Sequence, residues 1–177
     1  MVNPIVAAAV FVFSASIAAQ QSHVTPEAAA ARKRLEYFVG QWKIEGSGRE
    51  GPGGKPQPFS GSQRCEWFDI GSQVMCRGET TDSSLTRKEL VILGYNPVLH
   101  VFTRYNVDGA SGANGYSTGK VDGKDWHWTL VYPPSTDVQM RTVWSEISPD
   151  VHSITLDATE DGKAFTTVAE GRMTRIR

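Results

Sequence analysis

The residues able to do chemistry in this chain are few: four histidines, two cysteines and five tryptophans. No Gly-x-Ser-x-Gly elbow, His-Glu-x-x-His, phosphate loop or dinucleotide fingerprint accompanies them, so no catalytic residue and no metal ligand is assigned. His23 precedes the first folded element, and His127 alternates away from Trp126 and Trp128; both read as solvated. His100 follows Asn96-Pro97 in a strand whose phase stays open. His152 differs, because it shares phase with Ile154, Leu156 and Ala158 at the start of an apolar strand face, which places it inward near a rim. A strand-end histidine satisfied by backbone or water is the commoner arrangement. Trp42, Trp67, Trp126, Trp128 and Trp144 all fall on the apolar phase of their segments, so they either fill a common interior or line a cavity in it. Trp42, Trp126, Trp128 and Trp144, with His152, are the candidate ligand-binding residues.

The cysteines carry structural information instead. Cys65-Glu-Trp-Phe-Asp-Ile-Gly-Ser-Gln-Val-Met-Cys76 reads as a hairpin turning at Ile70-Gly71, which sets Cys65 opposite Cys76 and Trp67 opposite Val74. In an oxidising compartment such a pair becomes a disulfide; two buried free thiols are the alternative. No CxxC spacing makes either cysteine catalytic.

These residues need elements to position them. Thr25-Pro26-Glu27 opens a helix running from Ala28 to Phe38, with Thr25 as N-cap, Pro26 at the first helical position and Gly40 just past the end. From Gln41 onward short β-type runs alternate with turn residues. Trp42, Ile44, Gly46 and Gly48 alternate with Gln41, Lys43, Glu45 and Ser47; Trp126, Trp128, Leu130 and Tyr132 share one face; Val138, Met140, Thr142 and Trp144 share another. Leu90 to Leu93 ends at Gly94-Tyr95-Asn96-Pro97, and the chain resumes as Val98 to Val107. Asp-Gly pairs at Asp108, Asp122 and Asp161, and Ser148-Pro149-Asp150, mark tight connections. The count is about nine or ten strands, nearly all joined by short links, and the expected fold is all-β: an antiparallel up-and-down barrel or related sandwich with one N-terminal helix. Arg104 and Tyr105 are adjacent, so only one of them enters the interior; Glu66 and Glu79 fall on the solvated side.

Of the 177 residues 40% are apolar, enough for one well-filled core, and 18 Lys plus Arg against 19 Asp plus Glu leave a formal charge of -1. Without a basic face a nucleic-acid partner is not expected. Residues 1–19, MVNPIVAAAVFVFSASIAA, carry no charged side chain and an apolar run from Ile5 to Phe13 that ends in small residues, the pattern of a secretory signal peptide cleaved after Ala18 or Ala19. The expected organisation is a signal peptide over 1–19, an N-terminal segment and helix over 20–34, and a barrel domain over 35–177, with a periplasmic or secreted location and no membrane span in the mature chain.

Leu35-Glu-Tyr-Phe-Val-Gly-Gln-Trp42, a short helix entering a Gly-x-Trp strand, resembles the N-terminal signature of the calycin superfamily of lipocalins and fatty-acid-binding proteins. Together with Trp67-Phe68-Asp-Ile-Gly71, Gly94-Tyr95-Asn96-Pro97 and Arg172-Met-Thr-Arg175, it makes the chain similar to the bacterial family called domain of unknown function 1579, from about Leu35 to Arg175. The resemblance implies a lipocalin-like barrel and no assigned activity. Nitrobindin-type haem proteins are a more distant resemblance through Gly-x-Trp-x-Gly-x-Gly. Here Gly46 and Gly48 stand two positions later than in that motif, which weakens a transfer of haem binding.

The expected function is that of a non-enzymatic exported protein holding a small apolar or amphipathic molecule in its barrel, with no cofactor. The alternatives are a haem-dependent or cofactor-free isomerase or cyclase using the same cavity, and a ligand-free structural module of the cell envelope.

Overall fold

The computed structural model describes residues 25–49, 53–68, 72–83, 85–109, 114–131, 139–159 and 162–177. The expected signal peptide, His23, Tyr132, Val138 and the Ile70-Gly71 turn lie outside them.

Thr25 caps helix α1 (Pro26–Leu35), its hydroxyl accepting from the Ala28 N–H at 3.2 Å. The helix ends three residues before the sequence suggests: Glu36–Phe38 tighten into a 3-10 turn, a common way to finish a helix whose last carbonyls lack partners. That turn drives Phe38 into the barrel end and lets its carbonyl accept from the Trp42 indole at 2.8 Å. Gly40 follows with φ +135, and a Cβ there would lie 2.4 Å from Arg175 Nη1, so its small size makes room for that side chain.

Ten strands follow: β1 Gly40–Gly48, β2 Gln57–Phe68, β3 Gln73–Thr81, β4 Thr86–Asn96, β5 Val101–Asp108, β6 Asn114–Asp122, β7 Asp125–Val131, β8 Gln139–Ser148, β9 Val151–Thr159 and β10 Thr166–Ile176. Each pairs antiparallel with its sequence neighbour, and β10 returns to β1 to close the barrel. Among the described residues closure leaves no unpaired strand edge for another chain to extend.

Cys65 stands opposite Cys76 and Trp67 opposite Val74, as the spacing predicts, and the cysteines form a disulfide with Cα atoms 4.0 Å apart. The β4–β5 connection is longer than expected. Asn96 Oδ1 accepts from the N–H groups of Val98 and Leu99, each at 3.0 Å, and delays β5 to Val101. His100 therefore belongs to the turn rather than to a strand. It is exposed at φ 53, with Nδ1 2.8 Å from Glu27 on α1.

The core concentrates at the end covered by α1 and the 3-10 turn. Leu35, Phe38, Trp42, Val74, Leu93, Phe102, Trp126 and Trp128 are buried there. Arg175 ties that end together. Its guanidinium lies 4.2 Å from the Trp42 ring centre, donates to the carbonyls of Tyr37 and Val39, and pairs with Asp150 at 3.3 Å.

A candidate ligand site inside the barrel

Strand alternation and register together fix what faces inward. Trp126 and Trp128 on β7 pair with Val121 and Gly119 on β6 and with Trp144 and Thr142 on β8. Gly119 is required by this pairing, because a Cβ there would come within 2.6 Å of the Trp128 ring. On β9, His152 and Ile154 face inward beside Met173 and Gly171 of β10.

The structure brings the five sequence-predicted residues into one continuous contact. His152 lies 4.8 Å from Trp42 and 6.2 Å from Trp144, Trp144 is 5.4 Å from Trp128, and Trp128 is 6.0 Å from Trp126, all between ring centres. Their environments differ. Trp42 donates to Phe38, and Trp126 donates to Glu146 Oε1 at 2.7 Å, a carboxylate that also pairs with Arg34 of α1 at 2.9 Å. Both indoles are buried and satisfied, which makes them a floor. The indole nitrogens of Trp128 and Trp144 are equally inaccessible but have no hydrogen-bond partner.

His152 is not at an open rim. It sits at the covered end, ringed by Tyr37, Phe38, Trp42 and Trp144, with 2% of its surface exposed. The reason lies in the 3-10 turn: the Tyr37 hydroxyl donates to the carbonyls of Ser148 and Val151, alternative acceptors at 2.9 and 3.0 Å, and so draws the turn over the start of β9. Burial, helped by the nearby Arg175 charge, pushes the imidazole down to about 4 and keeps it neutral at physiological pH. Its Nδ1 is buried without a partner.

Between Arg104 and Tyr105, Arg104 enters. Register sets it opposite Leu93 on β4 and Ser117 on β6, both buried, while Tyr105 is 49% exposed and packs on Tyr116 outside. The guanidinium lies 5.4 Å from the Trp144 ring centre and 5.9 Å from that of Trp128, and its Nε is buried without a partner. Desolvation lowers its pKa to about 10, so it stays charged at neutral pH. Yet the residue as a whole retains intermediate accessibility. The guanidinium is therefore surrounded largely by protein, while part of the side chain remains accessible. Glu89 on β4 behaves alike: burial raises its pKa, and it accepts a long bond from Gln63 Nε2 at 3.4 Å.

Arg104, Glu89 and Glu146 are not among the site residues that the sequence points to. For Arg104 a signal was present but inverted: Val101, Thr103, Tyr105 and Val107 form the more apolar face of β5, yet Phe102, Arg104, Asn106 and Asp108 point inward. Among the described residues no cluster of His, Cys, Asp and Glu could hold a metal ion. An open groove on the barrel wall, lined by Gln41, Arg64, Arg77, Glu79 and Lys88 together with Trp42 and Ile176, is another concavity; its two arginines pair with Glu66.

A closed antiparallel barrel with a helix over one end is a lipocalin-like fold. The chain belongs to the family described as Protein of unknown function (DUF1579), whose model matches residues 27–175. It is similar in structure to Rv2717c from M. tuberculosis, at TM-score 0.58 and 16% identity over 86% of this chain and 99% of that one. It is also similar to the S-type phycobiliprotein lyase CPES from Guillardia theta, at TM-score 0.56 and 12% identity over 83% of this chain and 93% of that one. At these identities the likeness is one of fold. No curated protein matches the chain.

Proposed function

We propose that this protein is an exported carrier that holds one small amphipathic molecule inside its barrel. The observation that carries the reading is the accessibility of side chains that face inward. Leu130, Trp144, Ile154 and Leu156 lie on the interior phase of β7, β8 and β9, yet all retain intermediate exposure, while Trp42, Trp126 and Trp128 are closed off. An interior packed throughout would bury all seven. The ligand lies above the floor of Trp42, Trp126 and Trp128, against Trp144. His152 bounds the covered end from beneath, and its enclosure by four rings argues for an organic ligand over haem.

Export is part of the proposal. A disulfide persists in oxidising compartments, the leader has the composition of a signal peptide, and no described helix is long and apolar enough to cross a membrane. The likeness to a phycobiliprotein lyase supports a fold able to host a functional site; that enzyme's activity is not extended to this chain.

Native mass spectrometry of the protein purified from its own compartment tests the reading. A single added mass that organic solvent extracts is expected, on a chain beginning after Ala18 or Ala19. A bare polypeptide mass that no amphipathic compound shifts would favour a filled envelope module instead.

A further inference from the structure

We infer that the ligand carries an anionic group, such as a carboxylate, on its apolar body, and that this group seats against Arg104 beside the indole N–H groups of Trp128 and Trp144. The inference rests on the carrier reading and adds which end of the molecule goes where.

Among the described residues four buried side-chain nitrogens have no partner: His152 Nδ1 at the covered end, and Arg104 Nε, Trp128 Nε1 and Trp144 Nε1, which sit together where the guanidinium meets the two indoles. Guanidinium and indole N–H groups only donate. Buried donors left unsatisfied are costly, and a native interior normally supplies acceptors for them. The three groups gathered around Arg104 are all donors and one is cationic, so they select a ligand atom that accepts and is negative.

The geometry agrees. The guanidinium lies near the faces of two indoles, 5.4 and 5.9 Å from their centres. Such contact orients the planar fork while its N–H edge stays available for a carboxylate or a similar oxyanion. The ionisable neighbours do not fill this role. Glu89 and Arg104 attract each other, but burial still raises the Glu89 pKa and the two do not come within ion-pair distance. β5 has also turned its more apolar face outward to keep Phe102, Arg104 and Asn106 inside. That arrangement costs stability in an apolar core and has a use only if a polar partner meets it.

The test uses two dyes with the same aromatic body, anilinonaphthalene sulfonate and uncharged phenylnaphthylamine, titrated into the folded full-length mature protein. Dye emission and energy transfer from tryptophan are read. The sulfonate dye is expected to bind one-to-one and more tightly by about tenfold. Arg104→Met should abolish that preference and leave phenylnaphthylamine affinity within about twofold, as expected when only a charge-assisted contact is lost. Trp144→Phe, which keeps a ring and removes one donor, should weaken the sulfonate dye alone, and it carries the test should Arg104→Met fail to fold. Equal binding of both dyes, or a preference that survives both substitutions, overturns the inference and leaves the carrier reading standing. Failure of both dyes to bind overturns the inference and the carrier reading together.

Discussion

Arg175→Met should be among the most damaging single substitutions in this protein, although the residue lies two positions from the end of the chain. The wild-type guanidinium donates to the Tyr37 carbonyl at 2.8 Å and to the Val39 carbonyl, lies 4.2 Å from the Trp42 ring centre, and pairs with Asp150. Methionine keeps the apolar stem and removes all of these. Hydrogen bonds from a charged donor contribute ~1.5–3 kcal/mol each when buried. With 22% of the side chain exposed the lower end applies to the two carbonyl contacts. The cation–π contact adds about 0.5–1 kcal/mol, and the part-exposed ion pair adds little. The sum is about 3–4 kcal/mol, a large share of the ~5–15 kcal/mol typical of a domain. Urea unfolding followed by tryptophan fluorescence reads it as a lower midpoint at unchanged slope. Arg175→Lys separates charge from geometry, because an ammonium has no planar fork to span two carbonyls; it should recover less than half of the loss. A methionine variant within about 1 kcal/mol of wild type would refute the claim that this side chain fastens the covered end.

Three further outcomes follow from the same structure. His152 is held at about 4 in the folded protein against an ordinary value of 6.5, so between those values the unfolded chain binds the extra proton, and stability should fall as pH drops from about 6.5 to 4. The contribution is roughly 3 kcal/mol across that window, measured as the difference in pH dependence between wild type and His152→Gln; parallel profiles would contradict it. Replacing Cys65 and Cys76 together with alanine should lower stability by about 3 kcal/mol in the chain-entropy model, and thiol titration of the unreduced, denatured wild type should find no free thiol. Gly119→Ala should destabilise by about 1–3 kcal/mol through overpacking and shift the near-ultraviolet spectrum, since the added methyl meets the Trp128 ring.

Much of this was legible from residue spacing. Alternation placed Trp42, Trp126, Trp128 and Trp144 on inward faces, and symmetry about Ile70-Gly71 gave the Cys65–Cys76 register. Both are local properties, repeated within a strand or across one hairpin. What escaped depends on distant segments. His152 was correctly phased, but its cover comes from Tyr37 and Phe38, more than a hundred residues earlier. No periodicity in β9 carries that information. Arg104 was obscured for another reason: a strand is assigned its inner face by apolarity, and the apolar stripe of β5 faces out. Its true phase comes from the pairing of Leu93 with Arg104 across β4 and β5. The glutamate that satisfies Trp126 was equally hidden, because Glu146 serves α1 and β7 at once through Arg34 and the indole.

The central claim, that a small molecule occupies the barrel interior above Trp128 and against Trp144, is tested most directly by the indole N–H resonances of the five tryptophans. Proton–nitrogen correlation spectra would be recorded during titration with anilinonaphthalene sulfonate, each signal assigned by a Trp→Phe variant. The account predicts that the Trp128 and Trp144 signals move downfield as their free N–H groups gain an acceptor, while those of Trp42 and Trp126, already bonded to Phe38 and Glu146, shift little. Saturable binding that leaves the Trp128 and Trp144 signals in place would put the ligand elsewhere and contradict it.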